Sequence, residues 1–224
     1  MSAELNFDDG WQNRILRIWD ELAQDKTGPF RSTLAGYRVS SIGGSRHFFK
    51  GIHLLRTDRK RKTKHEGNRE RATCECLTQR PFAVEDFNFT HVRDDEIIGK
   101  FPASGFRPYP RSGTFGVGAH ALLVNVSPLA YGHCLLCPDH KACRPQVLSL
   151  DALKLAVAFA RASDADRGDM KVMFNSLGAW ASVNHLHFHV FWPSGRQDLD
   201  SSTGLTPLQY HSTQQSVFWT LEGA

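Results

Sequence analysis

Ser182-Val183-Asn184-His185-Leu186-His187-Phe188-His189-Val190-Phe191-Trp192 decides how the rest of this chain is read. Imidazoles and bulky apolar groups alternate through it, the period of an extended strand with one face in a core. On such a strand His185, His187 and His189 line one face about 6.5–7 Å apart, while Leu186, Phe188 and Val190 point into the interior. With 11 histidines in 224 residues, three at alternate positions are not an accident of composition. A neutral imidazole is also a nucleophile at physiological pH without first losing a proton. Three readings are open. One imidazole attacks phosphorus and carries a nucleotidyl group; the row ligates zinc or another divalent metal; or the histidines are hydrogen-bonded structural residues.

The residues just upstream bear on the choice. Phe174-Asn175-Ser176-Leu177-Gly178-Ala179-Trp180-Ala181-Ser182 is small, polar and Gly-containing, and joins the apolar run Val172-Met173-Phe174 to the histidine strand. A loop built around Gly178 can set backbone N–H groups, with the Asn175 and Ser182 side chains, against phosphate oxygens. A zinc site needs no phosphate cradle. Alone, an Asn-Ser-x-Gly turn is most often a hairpin loop; beside three aligned imidazoles it favours nucleotide transfer.

The His-x-His-x-His string with alternating apolar residues resembles the signature of the histidine triad superfamily, which includes the galactose-1-phosphate uridylyltransferases. The longer string Phe174 to His189 is more similar to the GDP-D-glucose phosphorylase branch. So is Val124-Asn125-Val126-Ser127-Pro128-Leu129-Ala130-Tyr131-Gly132-His133-Cys134-Leu135-Leu136-Cys137-Pro138. Weaker echoes are Gln79-Arg80-Pro81-Phe82, Phe87-Asn88-Phe89 and the segment from Leu34 to Arg38. The resemblance covers most of the chain, but only the two long motifs are specific.

That resemblance implies a two-step reaction in which GDP-D-glucose and inorganic phosphate give GDP and glucose 1-phosphate through a guanylylated histidine. By position in the triad His187 matches the nucleophile, attacking through Nε2. His185 and His189 would hydrogen-bond the phosphate or orient their neighbour, stabilising charge spread over the equatorial oxygens. Asn125 matches a position that holds ribose hydroxyls, and Asn175 and Ser182 match phosphate contacts. Many triad hydrolases carry Gln where this chain has Ala181, a departure that agrees with the phosphorylase branch. A triad hydrolase using water as acceptor, and a guanine-nucleotide-binding module without turnover, are the alternatives. No cofactor is implied.

Composition sets modest bounds. At 41% hydrophobic, the chain can bury one core or two small ones. No apolar run approaches a membrane span. Asp8, Asp9 and Arg14 interrupt any secretory-type stretch, and five cysteines, an odd number, fit reduced thiols in the cytoplasm. The net charge of +4 is uneven: residues 56–71 alone hold about +5, leaving the remainder near −1. A nucleic-acid-binding domain would carry a broader basic face. The basic stretch reads as a solvated loop, a phosphate contact or an import signal.

Periodicity gives the architecture. Trp11, Ile15, Ile18 and Leu22 recur at helical spacing behind Asp8 and Asp9, which can cap a helix ending between Lys26 and Pro29. Strands are predicted over His47–Leu55, Ala121–Val126 and Gly132–Pro138, then over Lys171–Asn175 and Val183–Trp192. Ser149 caps a second helix whose Leu150, Leu153, Val157 and Ala160 form an apolar stripe. The polar residues from Ser194 to Thr206 read as a loop. Together these predict an α+β fold, a histidine-triad-like antiparallel sheet with flanking helices, as one domain over residues 1–224.

Cys134, Cys137, His140 and Cys143 resemble a zinc ligand set by spacing. On a strand, however, positions 134 and 137 face opposite sides, and cysteine also serves as a small apolar filler. No metal is therefore expected. His133 either approaches the nucleotide pocket or is a core histidine bonded to backbone. Cys74 and Cys76 are more weakly placed. The partners expected are a GDP-hexose and inorganic phosphate, with neither nucleic acid nor membrane. Because the resemblance stops near Ala224 while members of the branch continue into a second half, Val217–Leu221 is expected to be an uncovered strand. A homodimer or a weakened enzyme would follow.

Overall fold

Alternation decides the layout of the sheet. In Ala121-Leu122-Leu123-Val124 and Cys134-Leu135-Leu136-Cys137 successive side chains fall into two separate apolar clusters, one on each face. A strand that is apolar at every position belongs in the middle of a sheet, and that is where the second of these segments lies. The computed structural model describes residues 10–31, 34, 37–42, 48–53, 80–102, 119–164 and 170–192. Asp8 and Asp9, the basic stretch 56–71, Cys74 and Cys76, the 194–206 loop and the 217–221 strand lie outside the described residues.

In chain order the elements are α1 (Trp11–Gln24), β1 (Tyr37–Ile42), β2 (Phe48–His53), β3 (Ile97–Pro102) and β4 (Ala119–Val124). These are followed by β5 (Cys134–Cys137), α2 (Leu150–Asp164), β6 (Lys171–Met173) and β7 (Phe188–Phe191). Five strands form an antiparallel sheet in the order β3-β4-β5-β7-β6, and β1 and β2 form a separate antiparallel pair. The fold is α+β. None of the described helices is long and apolar enough to cross a membrane.

Both helices cover one face of the sheet. Trp11, Ile15, Leu16 and Trp19 of α1 and Ala152, Leu155, Ala156 and Phe159 of α2 pack with Leu122, Leu136, Leu186, Phe188, Val190 and Trp192. Gln12, fully buried, ties the layer together: its amide donates to the Ser163 carbonyl at 3.1 Å and accepts the Trp192 indole N–H at 2.8 Å. The other face carries Phe89, Ala121, Leu123, Leu135, Cys137 and Val183. The imidazoles of His185 and His187 lie on this second side, against Phe89.

Three sequence expectations are corrected. The N-cap of α1 is Gly10, in a left-handed conformation (φ 78°) with no side-chain cap, rather than an aspartate. On α2 the Ser149 hydroxyl does accept the Ala152 N–H at 3.2 Å, but the stripe Leu150, Leu153 and Val157 is 67%, 43% and 46% exposed. The alanine-rich stripe is the buried one, because small side chains let the helix approach the sheet. Lastly, β7 begins only at Phe188, after bends at residues 183–185, so His185 and His187 precede the strand.

Candidate functional site

Where β7 starts, the histidines part company. His189 is on the strand, paired with Met173 on one side and Leu135 on the other. His187 lies one step before it, with its ring centroid 5.2 Å from that of His189. Its Nδ1 is 2.7 Å from the carbonyl of His185. A carbonyl only accepts, so Nδ1 carries the hydrogen and Nε2 keeps its lone pair. Burial holds the His187 imidazole well below its ordinary range, at about 4, and the ring is therefore neutral at physiological pH.

For His185 the expectation is a bond to phosphate or orientation of its neighbour. Its ring is fully buried, with Nδ1 accepting the Phe89 backbone N–H at 3.2 Å. Its Nε2, near the His140 backbone, reaches no hydrogen-bond partner. Phe82 and Phe89 flank the ring at centroid distances of 5.6 and 5.5 Å. Burial, then the neighbouring His140 and His187, push it down to about 3. The ring is walled in by aromatics, and what His185 offers its neighbour is its carbonyl.

Phe89 is held from both ends. Its N–H goes to His185, and its carbonyl accepts Nε2–H of His140 at 2.7 Å. The His140 ring stacks on His185 at 6.0 Å and 13°, and the Phe89 ring stands edge-on to His187 at 5.0 Å. His140 reaches this place because a tight turn runs between two left-handed residues, Asp139 and Cys143. The turn is pinned where the Asp139 N–H meets Nδ1 of buried His120 at 3.0 Å.

A second chain of bonds runs through His133. The Leu129 N–H donates to His133 Nδ1 at 2.9 Å, leaving the hydrogen on Nε2. That Nε2–H donates to His189 Nδ1 at 2.9 Å, and His189 Nε2–H in turn donates to Asn175 Oδ1 at 3.1 Å. All three acceptors are satisfied in this arrangement. Asn125 stands beside this chain, with its amide nitrogen 3.3 Å from His133 Nε2 and its Oδ1 taking the Ser127 N–H. The Asn175 amide donates to the Ala179 carbonyl at 2.9 Å.

The structure thus brings together His133, Asn125, Asn175, His187 and His189. Gly178 is exposed and Ser182 half-buried, and neither is hydrogen-bonded to the imidazoles. Cys134 and Cys137 point into different clusters on opposite faces, and burial pushes both thiols up. Among the described residues no three His, Cys, Asp or Glu side chains converge as a metal set would. Sequence reasoning missed the roles of Phe89, His140, Gln146 and Asn184. The local signal that existed was Asn88 before Thr90, whose Oδ1 caps the Phe89 turn by accepting the Thr90 N–H at 3.0 Å.

Comparison with known proteins places these motifs. A family profile described as GDPGP1-like, N-terminal domain, matches residues 11–191. GDP-D-glucose phosphorylase 1 of Danio rerio is 32% identical over 185 residues, covering 82% of this chain and 47% of that protein. GDP-L-galactose phosphorylase 2 of Arabidopsis thaliana is 28% identical over 205 residues, 87% of this chain and 44% of that one. Over 114 residues, GDP-D-glucose phosphorylase 1 of Caenorhabditis elegans is 39% identical, covering 50% of this chain and 22% of the relative. The chain spans about half the length of the first two of these curated relatives. No solved structure matches.

Proposed function

We propose, for a chain that belongs to the family of GDPGP1-like N-terminal domains, that His187 takes a guanylyl group from a GDP-hexose and passes it to inorganic phosphate. The observation that carries this reading is the 2.7 Å bond from His187 Nδ1–H to the His185 carbonyl, which leaves the Nε2 lone pair on a neutral ring. Nε2 attacks the α-phosphorus, the bond from that phosphorus to the bridging oxygen breaks, and hexose 1-phosphate leaves with the electron pair. The guanylylated ring has gained positive charge, and its Nδ1–H remains against a carbonyl dipole that offsets it. Phosphate then attacks the same phosphorus, giving GDP and restoring the lone pair. A sugar phosphate is a good leaving group, so the chemistry asks for little general-acid help.

The substrate class rests on the names of the relatives. One phosphorylase is named for GDP-D-glucose and the other for GDP-L-galactose; a guanosine diphosphate on a hexose is what they share. His189 is assigned to the phosphate oxygens, with its Nε2–H turning from Asn175 to the substrate while His133 holds the far side of the ring. Ser182 and the backbone near Gly178 are assigned to the phosphate, and Asn125 to the ribose.

Incubation with GDP-glucose in the absence of phosphate tests the assignment. The expected result is one acid-labile GMP on His187 by mass spectrometry, discharged as GDP when phosphate is added, and none on His187→Ala. GMP mapped to another residue, or released to water with no adduct, would overturn it.

A further inference from the structure

Gln146 lies outside any helix or strand, between β5 and α2, and is completely buried. A buried primary amide must find partners for its two hydrogens and its oxygen. Those of Gln146 are spent almost wholly on the triad segment. Its Oε1 accepts the His187 N–H at 2.8 Å, and its Nε2 donates to the His187 carbonyl at 3.1 Å and to the Asn175 carbonyl at 2.8 Å. Its own backbone N–H is held by Asn184 Oδ1 at 2.9 Å, and Asn184 is anchored in turn on the carbonyls of Pro81 and Arg80 at 2.8 and 3.2 Å.

The placement explains why the sheet opens where it does. β6 and β7 pair as Lys171 with Phe191, Val172 with Val190 and Met173 with His189. Carried two residues further, that register would set Asn175 opposite His187. The Gln146 amide sits between these two residues instead, acting as a substitute peptide group for both. His187 is thereby taken out of the ladder without orphaning its backbone, which would cost about 1–3 kcal/mol per buried group.

From this geometry we propose that Gln146 is a positioning residue for the nucleophile, an inference that rests on the reading of His187 given above. One amide fixes the His187 backbone, so that Nδ1–H meets the His185 carbonyl. The same amide fixes Asn175, whose side chain receives His189 Nε2–H. Gln146 therefore sets both the tautomer of the attacking ring and its spacing from the third imidazole. It touches no reacting atom; it acts through His187 and Asn175.

The test compares wild type with Gln146→Glu and Gln146→Met. The glutamate keeps the volume and the bond from the His187 N–H but cannot give two hydrogens to the two carbonyls; the methionine keeps the length and loses every bond. Two readouts are taken on protein shown to be folded by circular dichroism. In the first, adduct formation from GDP-glucose without phosphate is followed against substrate concentration. The expected outcome is a loss on the order of 100-fold in the limiting rate, as for an ångström-scale misplacement of a reacting group, with half-saturation within about threefold. In the second, ¹⁵N NMR of labelled histidines is expected to show His187 as the Nδ1–H tautomer in wild type and as a mixture in the variants. If Gln146→Met does not fold, the isosteric glutamate carries the comparison. A folded variant that keeps both the limiting rate and the single tautomer overturns the proposal, as does a loss confined to half-saturation. If wild type forms no adduct, the nucleophile assignment fails instead, and the tautomer comparison alone then decides for or against Gln146.

Discussion

His187 donates Nδ1–H to the carbonyl of His185, only two residues earlier in the chain. A bond this local forms because both residues lie ahead of β7 rather than in its ladder, and its effect is to leave the lone pair on Nε2.

Adduct formation should therefore be insensitive to pH where an exposed histidine would titrate. Burial holds His187 at about 4 against an ordinary 6.5, so its lone pair persists as the pH falls through neutrality. The limiting rate of guanylylation, followed by rapid quench and mass spectrometry, should stay level through pH ~6 and fall only toward pH ~4. Half-loss near pH ~6.5 would contradict the assigned environment.

Stability should have the opposite sensitivity. His120 and His187 are pushed down to about 4 and His185 to about 3, in each case chiefly by burial. These folded-state values lie below the 6.5 of the unfolded chain, so as pH drops the unfolded state takes up protons first. Stability is then greatest above about 6.5 and declines continuously toward 4, by roughly 2 kcal/mol per histidine at pH ~5. Urea midpoints between pH ~7.5 and ~5 measure it; a level midpoint would refute it.

His140→Ala should damage both stability and rate. It strips the buried Phe89 carbonyl of its 2.7 Å donor, at a cost of about 1–3 kcal/mol, and loosens the ring that stands against His187. We expect guanylylation slowed about tenfold, the equivalent of 1.4 kcal/mol in the barrier. Unchanged stability and rate in His140→Ala would show that the Phe89 clamp is idle.

Much of the fold was legible in residues 119–137, where short unbroken apolar runs mark the strands, in residues 171–192, where alternation of two marks β7, and in residues 11–24, where a period of 3.6 marks the helix. The buried side of α2 was not. Leu150, Leu153 and Val157 outweigh Ala152, Ala156 and Ala158 in hydrophobicity, yet close approach to a sheet rewards the smaller set. Within the candidate site, the strand motif drew attention to His187 and His189, whose rings lie 5.2 Å apart. The roles of Phe89, His140 and Gln146 depend on contacts made 41 to 96 residues apart in the chain, and no local period records those.

The two stripes of α2 can be separated by mutation. Phe159→Ala should cost about 3–5 kcal/mol as a core truncation. Leu153→Gln, on the exposed side, should stay within about 0.5 kcal/mol. Denaturant melts of both variants decide it, and comparable losses would mean that the outer stripe is packed as well.

Two glycines offer a paired test of strain against space. Both have positive φ, 78° at Gly10 and 67° at Gly132. A Cβ on Gly10 would meet nothing within 4 Å, whereas one on Gly132 would lie 2.6 Å from the Trp192 ring and 2.7 Å from Leu16. Gly10→Ala should cost about 1–2 kcal/mol for the backbone alone. Gly132→Ala should cost that and about 1–3 kcal/mol more for overpacking. Equal penalties would show that the close approach relaxes freely.

The same corner of the molecule limits how far its motif can be moved. The carbonyl of His133, next to Gly132, accepts the indole N–H of Trp19 from α1 at 3.3 Å, and Leu16 of that helix fills the room left by the missing side chain. A helix near the start of the chain thus braces the imidazole that holds His189, while residues in the eighties and one-forties govern His187. Transplanting residues 182–192 into another sheet would carry three histidines across and leave behind the groups that tell each ring where to keep its proton. The motif works as part of this scaffold and is not a portable cassette.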